Sequence, residues 1–242
     1  MPSHDQILAA VDATWPAAQY LAKGPWTLRE GLGGGQRVSA ASAFCDVKDA
    51  DIDMAISGMR DLGQHPLFMI RPQDKELDQL LEKRGFTIKD PVTAHVAPLA
   101  DLIGDVPTVA VTPSWPPLAV QREIWASTGI GPARIKVMER VQSAKTTHLG
   151  RAGDVPAGTA FTGIDSDLAM LHALEVLPEQ KRQGVGKHIM TSAANWAAAQ
   201  GARWLSVLVV NSNASANAFY KNIGMRDAGF GYHYRRAPEV AE

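Results

Sequence analysis

Cysteine is almost absent: the 242 residues contain one, Cys45. A single thiol cannot form an internal disulfide, and no Cys/His cluster has zinc-site spacing, so neither a disulfide framework nor a bound metal is expected. Charge of one sign is also lacking. The formal net charge is −1, which leaves no electrostatic reason to expect nucleic acid or an anionic membrane as partner. No run of eighteen apolar residues occurs, so no membrane span is expected. The opening MPSHDQILAA has neither the basic stretch nor the apolar run of a signal peptide. These absences favour a cytoplasmic protein. What is present is ordinary for a folded chain. Hydrophobic residues make up 45% and charged residues 20%, which argues against disorder. The length suits one large domain or two small ones.

Apolar periodicity and turn residues divide the chain. Residues 5–21 read as a helix weakened by Pro16, and 26–44 as two short strands around Gly33-Gly34-Gly35. Residues 51–62 and 74–84 read as helices, the second closed by Gly85. Residues 66–71 and 87–96 read as strands. Six prolines between Pro91 and Pro117 mark a junction near residue 100. Beyond it come helices at 118–127 and 133–142, then strands at 146–151, 158–164 and 168–176. A long helix at 184–200, a strand at 204–210, a helix at 215–222 and a strand at 229–235 complete the chain. This mixture implies an α+β (α/β layered) architecture.

The segment LHALEVLPEQKRQGVGKHIM runs from strand through loop into helix. A helix start presents unpaired N–H groups and a partial positive charge. Gly184 and Gly186 clear side chains from that backbone, and Lys181, Arg182 and Lys187 add charge, which suits a pyrophosphate. The turn is neither a P-loop nor a Rossmann turn, because the glycine patterns of both are absent.

PEQKRQGVGKHIM resembles the R/Q-x-x-G-x-G/A motif of the GNAT acetyltransferases. NSNASANAFYKNIGM resembles their downstream motif, with Asn213, Ala216, Tyr220 and Gly224 at the matching positions. Two motifs in the right order, with a helix and a strand between them, are far more specific than either alone. The resemblance implies a splayed mixed sheet flanked by helices, with acetyl-CoA in the gap between two strands. Leu174 and Val176 would offer backbone groups to the pantetheine arm. Lys181, Arg182, Gln183, Gly184, Val185, Gly186 and Lys187 would hold the pyrophosphate, and Asn213, Ala216 and Tyr220 would complete the cofactor site. Lys181 departs from the usual Arg or Gln and loses planar hydrogen bonding. Met225 replaces the usual Phe.

Acetyl transfer to an amine requires a base for the amine and an acid for the leaving thiolate. Tyr220 stands where the family places its acid, and a phenol is protonated at neutral pH. The family's usual base position, fourteen residues before Gly184, holds Met170. His172 lies two residues further, on the same strand face, with a suitable reference pKa. Glu175 is an alternative that simple alternation places on the opposite face, and a water chain is another.

PLFMIRPQDKELDQLLEKRGF echoes WLSVLVVNSNASANAFYKNIGM in its order of strand, loop, helix and glycine, with Leu81 in the place of Tyr220. Residues 1–100 therefore read as a degenerate, partial GNAT-like half, and 101–242 as the catalytic domain. Trp15, Trp26, Arg29 and Arg37 are candidates for an acceptor-pocket wall, although packing is the commoner use of such residues. The expected activity is acetyl-CoA-dependent acetylation of an unidentified small-molecule or peptide amine by direct attack in a ternary complex. The other reading is a non-catalytic acyl-CoA-binding or sensing protein, which Met170 favours and Tyr220 opposes. A homodimer is compatible with the resemblance.

Overall fold

The computed structural model describes residues 1–238. The first half of the chain runs α1 (His4–Thr14), β1 (Gln19–Lys23), β2 (Trp26–Glu30), β3 (Ser42–Ala43), α2 (Asp49–Asp61), β4 (Leu67–Ile70), α3 (Lys75–Lys83) and β5 (Thr87–Pro98). The second half runs β6 (Val111–Ser114), α4 (Ala119–Ser127), α5 (Pro132–Arg140), β7 (Lys145–Ala152), β8 (Val155–Asp165) and β9 (Leu168–Val176). It ends with α6 (Val185–Ala199), β10 (Trp204–Val210), α7 (Ala214–Asn222) and β11 (Arg226–Arg236). The mixed α+β class expected from the sequence is the one found.

Contacts gather the chain into two compact units. The first holds residues 1–16, 94–208 and 215–228, and the second holds 17–93, 209–214 and 229 onward. Along the chain, the longest segments of the two units join at 93/94. The first sixteen residues nevertheless belong with the later sequence, and two late segments belong with the earlier one.

In the first unit the strand order is β5-β10-β9-β8-β7-β6. Strands β6 to β9 are antiparallel neighbours, while β9 and β10 run parallel. Each face is covered, and glycines set the distance. A methyl group on Gly150 or Gly158 would strike Val185 or Ile189 of α6. A methyl on Gly163 would come within 3.0 Å of Thr14 on α1. Gly158 and Gly163 are an odd number of residues apart, so α6 and α1 lie on opposite faces. Helix α4 shares the α1 face, because Gln121 bonds Thr147 and Thr159, and Trp125 donates to the Ala173 carbonyl.

His148 points to the α6 face between Ser192 and Thr162, each at 3.1 Å. Burial pushes its pKa down to about 3, so it is neutral at physiological pH. Strand β6 was not expected from the sequence. It sits at the sheet edge, which is where a strand tolerates a proline such as Pro113.

The second unit packs Trp26, Leu28, Ile52, Met59, Phe68, Leu81 and Phe86 into one core. Its strands form β4-β11-β5 and a separate β1-β2-β3 sheet. Two expectations are corrected here. Helix α1 ends at Thr14, and residues 19–23 are strand β1, paired in register with β2. Pro16 precedes this hairpin, and Gly24 at φ 59° and Pro25 make its turn. The triple glycine does not join two adjacent strands in a tight hairpin. It leads into a 3₁₀ turn at Gln36–Val38 before β3 returns to β2. Trp26 and Arg29 are structural: Trp26 donates to the Asp51 carbonyl, and Arg29 binds Ala40 O and Ser42 Oγ. Arg37 donates to the Tyr232 hydroxyl within the same unit.

Candidate active site

Strand β9 organises the site. It pairs with β10 only from Leu168 to Met170, opposite Trp204 to Ser206. Beyond those residues the two parallel strands part, which opens a gap bordered by the second half of β9. In that half the register with β8 slips: Phe161 pairs with His172, yet Thr159 pairs with Glu175. Two residues of β9, Ala173 and Leu174, therefore oppose Ala160 alone. This is a β-bulge, and Ala173 takes φ 52° to make it.

The bulge resets which side chains share a face. Directly paired residues lie on the same side of a sheet. Met170, His172 and Glu175 pair with Gly163, Phe161 and Thr159, which alternate along β8. All three consequently face α1 and α4. The expectation that Glu175 points away from His172 is corrected, because uninterrupted alternation does not survive an extra residue. Val176 pairs with Gly158 and faces α6 instead.

His172 is 6% exposed. Its Nε2 lies 2.8 Å from Thr14 Oγ1, and the Trp15 ring is 5.0 Å from its own between centroids. The Phe161 ring stacks near it, 6.2 Å between centroids. Glu175 is half-buried, and burial raises its carboxyl pKa against the opposing pull of Lys181 and Arg134.

After β9 the chain makes a 3₁₀ turn at Pro178–Gln180 and enters the glycine loop. Arg182 and Gly184 both adopt left-handed backbone, at φ 64° and 80°. Left-handed residues alternating with others curl successive N–H groups toward one side, a geometry that binds anions. Gly184 is the N-cap of α6, and no side chain caps that end. Lys181, Arg182, Gln183 and Gly184 are exposed, as is Lys187. Val185 is buried and anchors the helix. A methyl on Gly184 would be 3.5 Å from His188, so its backbone angle, not crowding, calls for glycine. A methyl on Gly186 would meet Phe219 at 3.4 Å, an ordinary contact. Exposed amides, an uncapped helix start and local positive charge fit a pyrophosphate, and the parted strands fit a pantetheine arm.

Asn213 immediately precedes α7, and Ala216 lies in its first turn. Tyr220, 7% exposed, is the buried residue of this helix. Burial raises its phenol pKa, and the negative charge of Glu175 raises it further. Tyr220 and Glu175 are thus close enough to interact. The loop after α7 closes with Gly224 at φ 94° and the Met225 amide donating to the Tyr220 carbonyl. His95 of β5 was not singled out in the sequence. It is buried, lies 6.2 Å from the Tyr220 ring in a stacked arrangement, and bonds Asn217 at 2.9 Å. No local motif marks His95 or Thr14, since both reach the site only through the tertiary fold. Among the described residues no group of His, Cys, Asp and Glu could hold a metal ion, and no helix is long and apolar enough to cross a membrane.

The model of the acetyltransferase (GNAT) family matches residues 112–225. No curated protein matches the sequence. Among solved structures, a GCN5-related N-acetyltransferase from Kribbella flavida is similar over 99% of this chain and 97% of its own, with TM-score 0.73 and 18% identity. A putative GNAT-family acetyltransferase from Novosphingobium aromaticivorans is similar over 95% of this chain and 97% of its own, with TM-score 0.57 and 13% identity. A tandem GNAT protein from the clavulanic acid biosynthesis pathway is similar over 84% of this chain and 76% of its own, with TM-score 0.58 and 11% identity. At these identities the likeness speaks for the fold. Residues 112–225 are matched as a GNAT acetyltransferase domain.

Proposed function

We propose that this protein is an acetyl-CoA-dependent N-acetyltransferase acting on a small-molecule or peptide amine in the cytoplasm. The observation that carries this reading is the behaviour of β9. It parts from β10 after Met170, bulges at Ala173 and runs into the left-handed loop that opens α6. Leu174 and Val176 offer backbone groups along the gap. The amides of residues 181–187 hold the pyrophosphate, and Ala216 borders the cofactor from α7. Acetyl-CoA supplies an acyl group activated as a thioester.

His172 removes the proton of the acceptor amine, which attacks directly in a ternary complex. Tyr220 stays protonated throughout the physiological range, because burial and Glu175 both raise its pKa. It donates to the sulfur as the C–S bond breaks. Cys45 is exposed and lies outside the family-matched segment, so this mechanism needs no acyl-enzyme. Thiol release from acetyl-CoA across a panel of amines tests the reading. Turnover with at least one amine supports it. Binding of CoA without turnover on any amine favours an acyl-CoA sensor, the reading that Met170 at the usual base position supports.

In this proposal residues 1–100 derive from a second, partial GNAT half. The supporting observation is a repeated local geometry. β4, α3, Gly85 and β5 follow the order of β10, α7, Gly224 and β11. Both glycines are left-handed, at φ 80° and 94°. The Phe86 amide donates to Leu81 O and the Met225 amide to Tyr220 O, each at 3.0 Å. Leu81 thus occupies the place of the acid and cannot serve as one.

A further inference from the structure

An extra residue in a strand takes backbone groups out of the ladder, and in β9 one of these groups is met by a side chain from another element. The indole N–H of Trp125, on α4, donates to the Ala173 carbonyl at 2.8 Å. Trp125 is fully buried, so its N–H needs a protein acceptor, and the bulge supplies it. Gln121 stands one turn earlier on the same face of α4. It is also fully buried, donates to Thr159 Oγ1 at 3.2 Å and accepts from Thr147 Oγ1 at 3.0 Å. Thr159 is the residue paired with Glu175 on β9. Helix α4 is therefore fixed to β7 and β8, and from there Trp125 reaches the bulge. All four elements lie in the first compact unit.

The bulge needs such a contact. Ala173 sits at φ 52°, left-handed backbone that disfavours a residue with a side chain by roughly 5–30-fold. The distortion also decides what its neighbours face. Only with Ala173 and Leu174 together opposite Ala160 does Glu175 return to the face of Met170 and His172, while Val176 turns to α6. Regular pairing would exchange the faces of Glu175 and Val176.

We propose that Trp125 is a positioning residue: its bond to the Ala173 carbonyl offsets the left-handed backbone and keeps β9 bulged before the cofactor arrives. The link to the cofactor rests on the function proposed above, in which Leu174 and Val176 offer backbone groups to the pantetheine arm. The link between Trp125 and the bulge does not. A cofactor that binds only the bulged strand loses apparent affinity in proportion to the fraction of molecules that are bulged. Glycine at position 173 adopts the same backbone without steric cost, so Ala173→Gly makes the indole bond dispensable.

Titration calorimetry with CoA and hydrogen–deuterium exchange of the backbone amides, both on the full chain, test the proposal. Trp125→Phe keeps an aromatic ring in the core and removes the donor. It is expected to weaken CoA binding about tenfold, the scale of one hydrogen bond, and to speed exchange in β9 while β7 stays protected. Adding Ala173→Gly to Trp125→Phe is expected to bring affinity back to within about threefold of Ala173→Gly alone and to restore slow exchange. Lost core packing would not be repaired by removing a methyl group from β9. Ala173→Val opposes the bulge from the strand side with the α4 core intact, because a β-branched residue is an outlier at positive φ. The same weakening and faster exchange are expected, so this variant carries the test where Trp125→Phe does not fold. Wild-type exchange in Trp125→Phe or Ala173→Val overturns the role of Trp125 in the bulge. Faster exchange with wild-type CoA affinity overturns its part in binding. Equal losses from Trp125→Phe in the alanine and glycine backgrounds overturn the proposal as well, because the indole then acts through something other than the bulge. A wild type that binds no CoA removes the cofactor reading itself, while exchange in β9 still decides the bulge.

Discussion

Replacing Gly184 by alanine separates the backbone angle of the loop from its occupancy. Gly184 holds φ 80° at the N-cap of α6, and an added methyl meets nothing nearer than His188 at 3.5 Å. The cost is therefore conformational, about 1–2 kcal/mol for a side chain in left-handed backbone. Where that cost appears depends on what the free loop does. If the free protein keeps the angle, stability falls by the full amount and CoA affinity is unchanged. For a chain of this size the melting temperature then drops by about 2–8 °C, at roughly 2–4 °C per kcal/mol. If the free loop relaxes, stability recovers, and CoA must restore the angle on binding. Affinity then falls by a factor of about 5–30. The two losses sum to the same penalty. Thermal denaturation without ligand, together with titration calorimetry of CoA, measures both. Gly186→Ala is the control: its methyl would make an ordinary contact with Phe219, and alanine inside a helix is favoured over glycine by about 0.5–1 kcal/mol. Stability and affinity both intact in Gly184→Ala, or equal damage in Gly186→Ala, would refute this account of the loop.

Tyr220→Phe is expected to lower the transfer rate by about ten- to a thousandfold, the range for lost acid catalysis, with CoA binding retained; unchanged kinetics would remove Tyr220 from the mechanism. Glu175→Gln removes the negative charge beside Tyr220 and leaves an amide that cannot accept a proton, so turnover should persist. A loss as deep as that of His172→Ala would instead move the base role to Glu175. His148 has a folded pKa depressed to about 3 from 6.5. A depressed value means the unfolded chain binds the proton first, so stability falls as pH drops from 6.5 toward 3. The slope from this group approaches about 1.4 kcal/mol per pH unit. Denaturant titration across that window, compared with His148→Asn, should show the slope reduced in the variant; identical slopes would contradict the assignment.

The second half of the fold was largely legible because its signals are local. β9 and β10 run over the residues that their apolar, β-branched content indicated, and α6 begins one residue after Gly184. Residues 17–25 were harder. An apolar pattern that continues past Pro16 looks helical, whereas Tyr20 and Leu21 are in a strand whose partner, β2, supplies the reason. The bulge at Ala173 is invisible in sequence, because nothing in HALEV marks an extra residue and alternation alone assigns Glu175 to the wrong face. His95 and Thr14 reach the site from distant sequence, 125 and 158 residues from Tyr220 and His172 respectively. Motif spacing reads what one strand, loop and helix do together. It does not read which remote element is packed against them.

The central claim is turnover, and the most direct measurement is thiol release from acetyl-CoA by the wild-type chain across a broad panel of amines and amino acids, followed by mass analysis of the acceptor. The account predicts release that depends on one or more of the amines, with stoichiometric N-acetylated product. CoA binding with no amine-dependent release anywhere in the panel would contradict it.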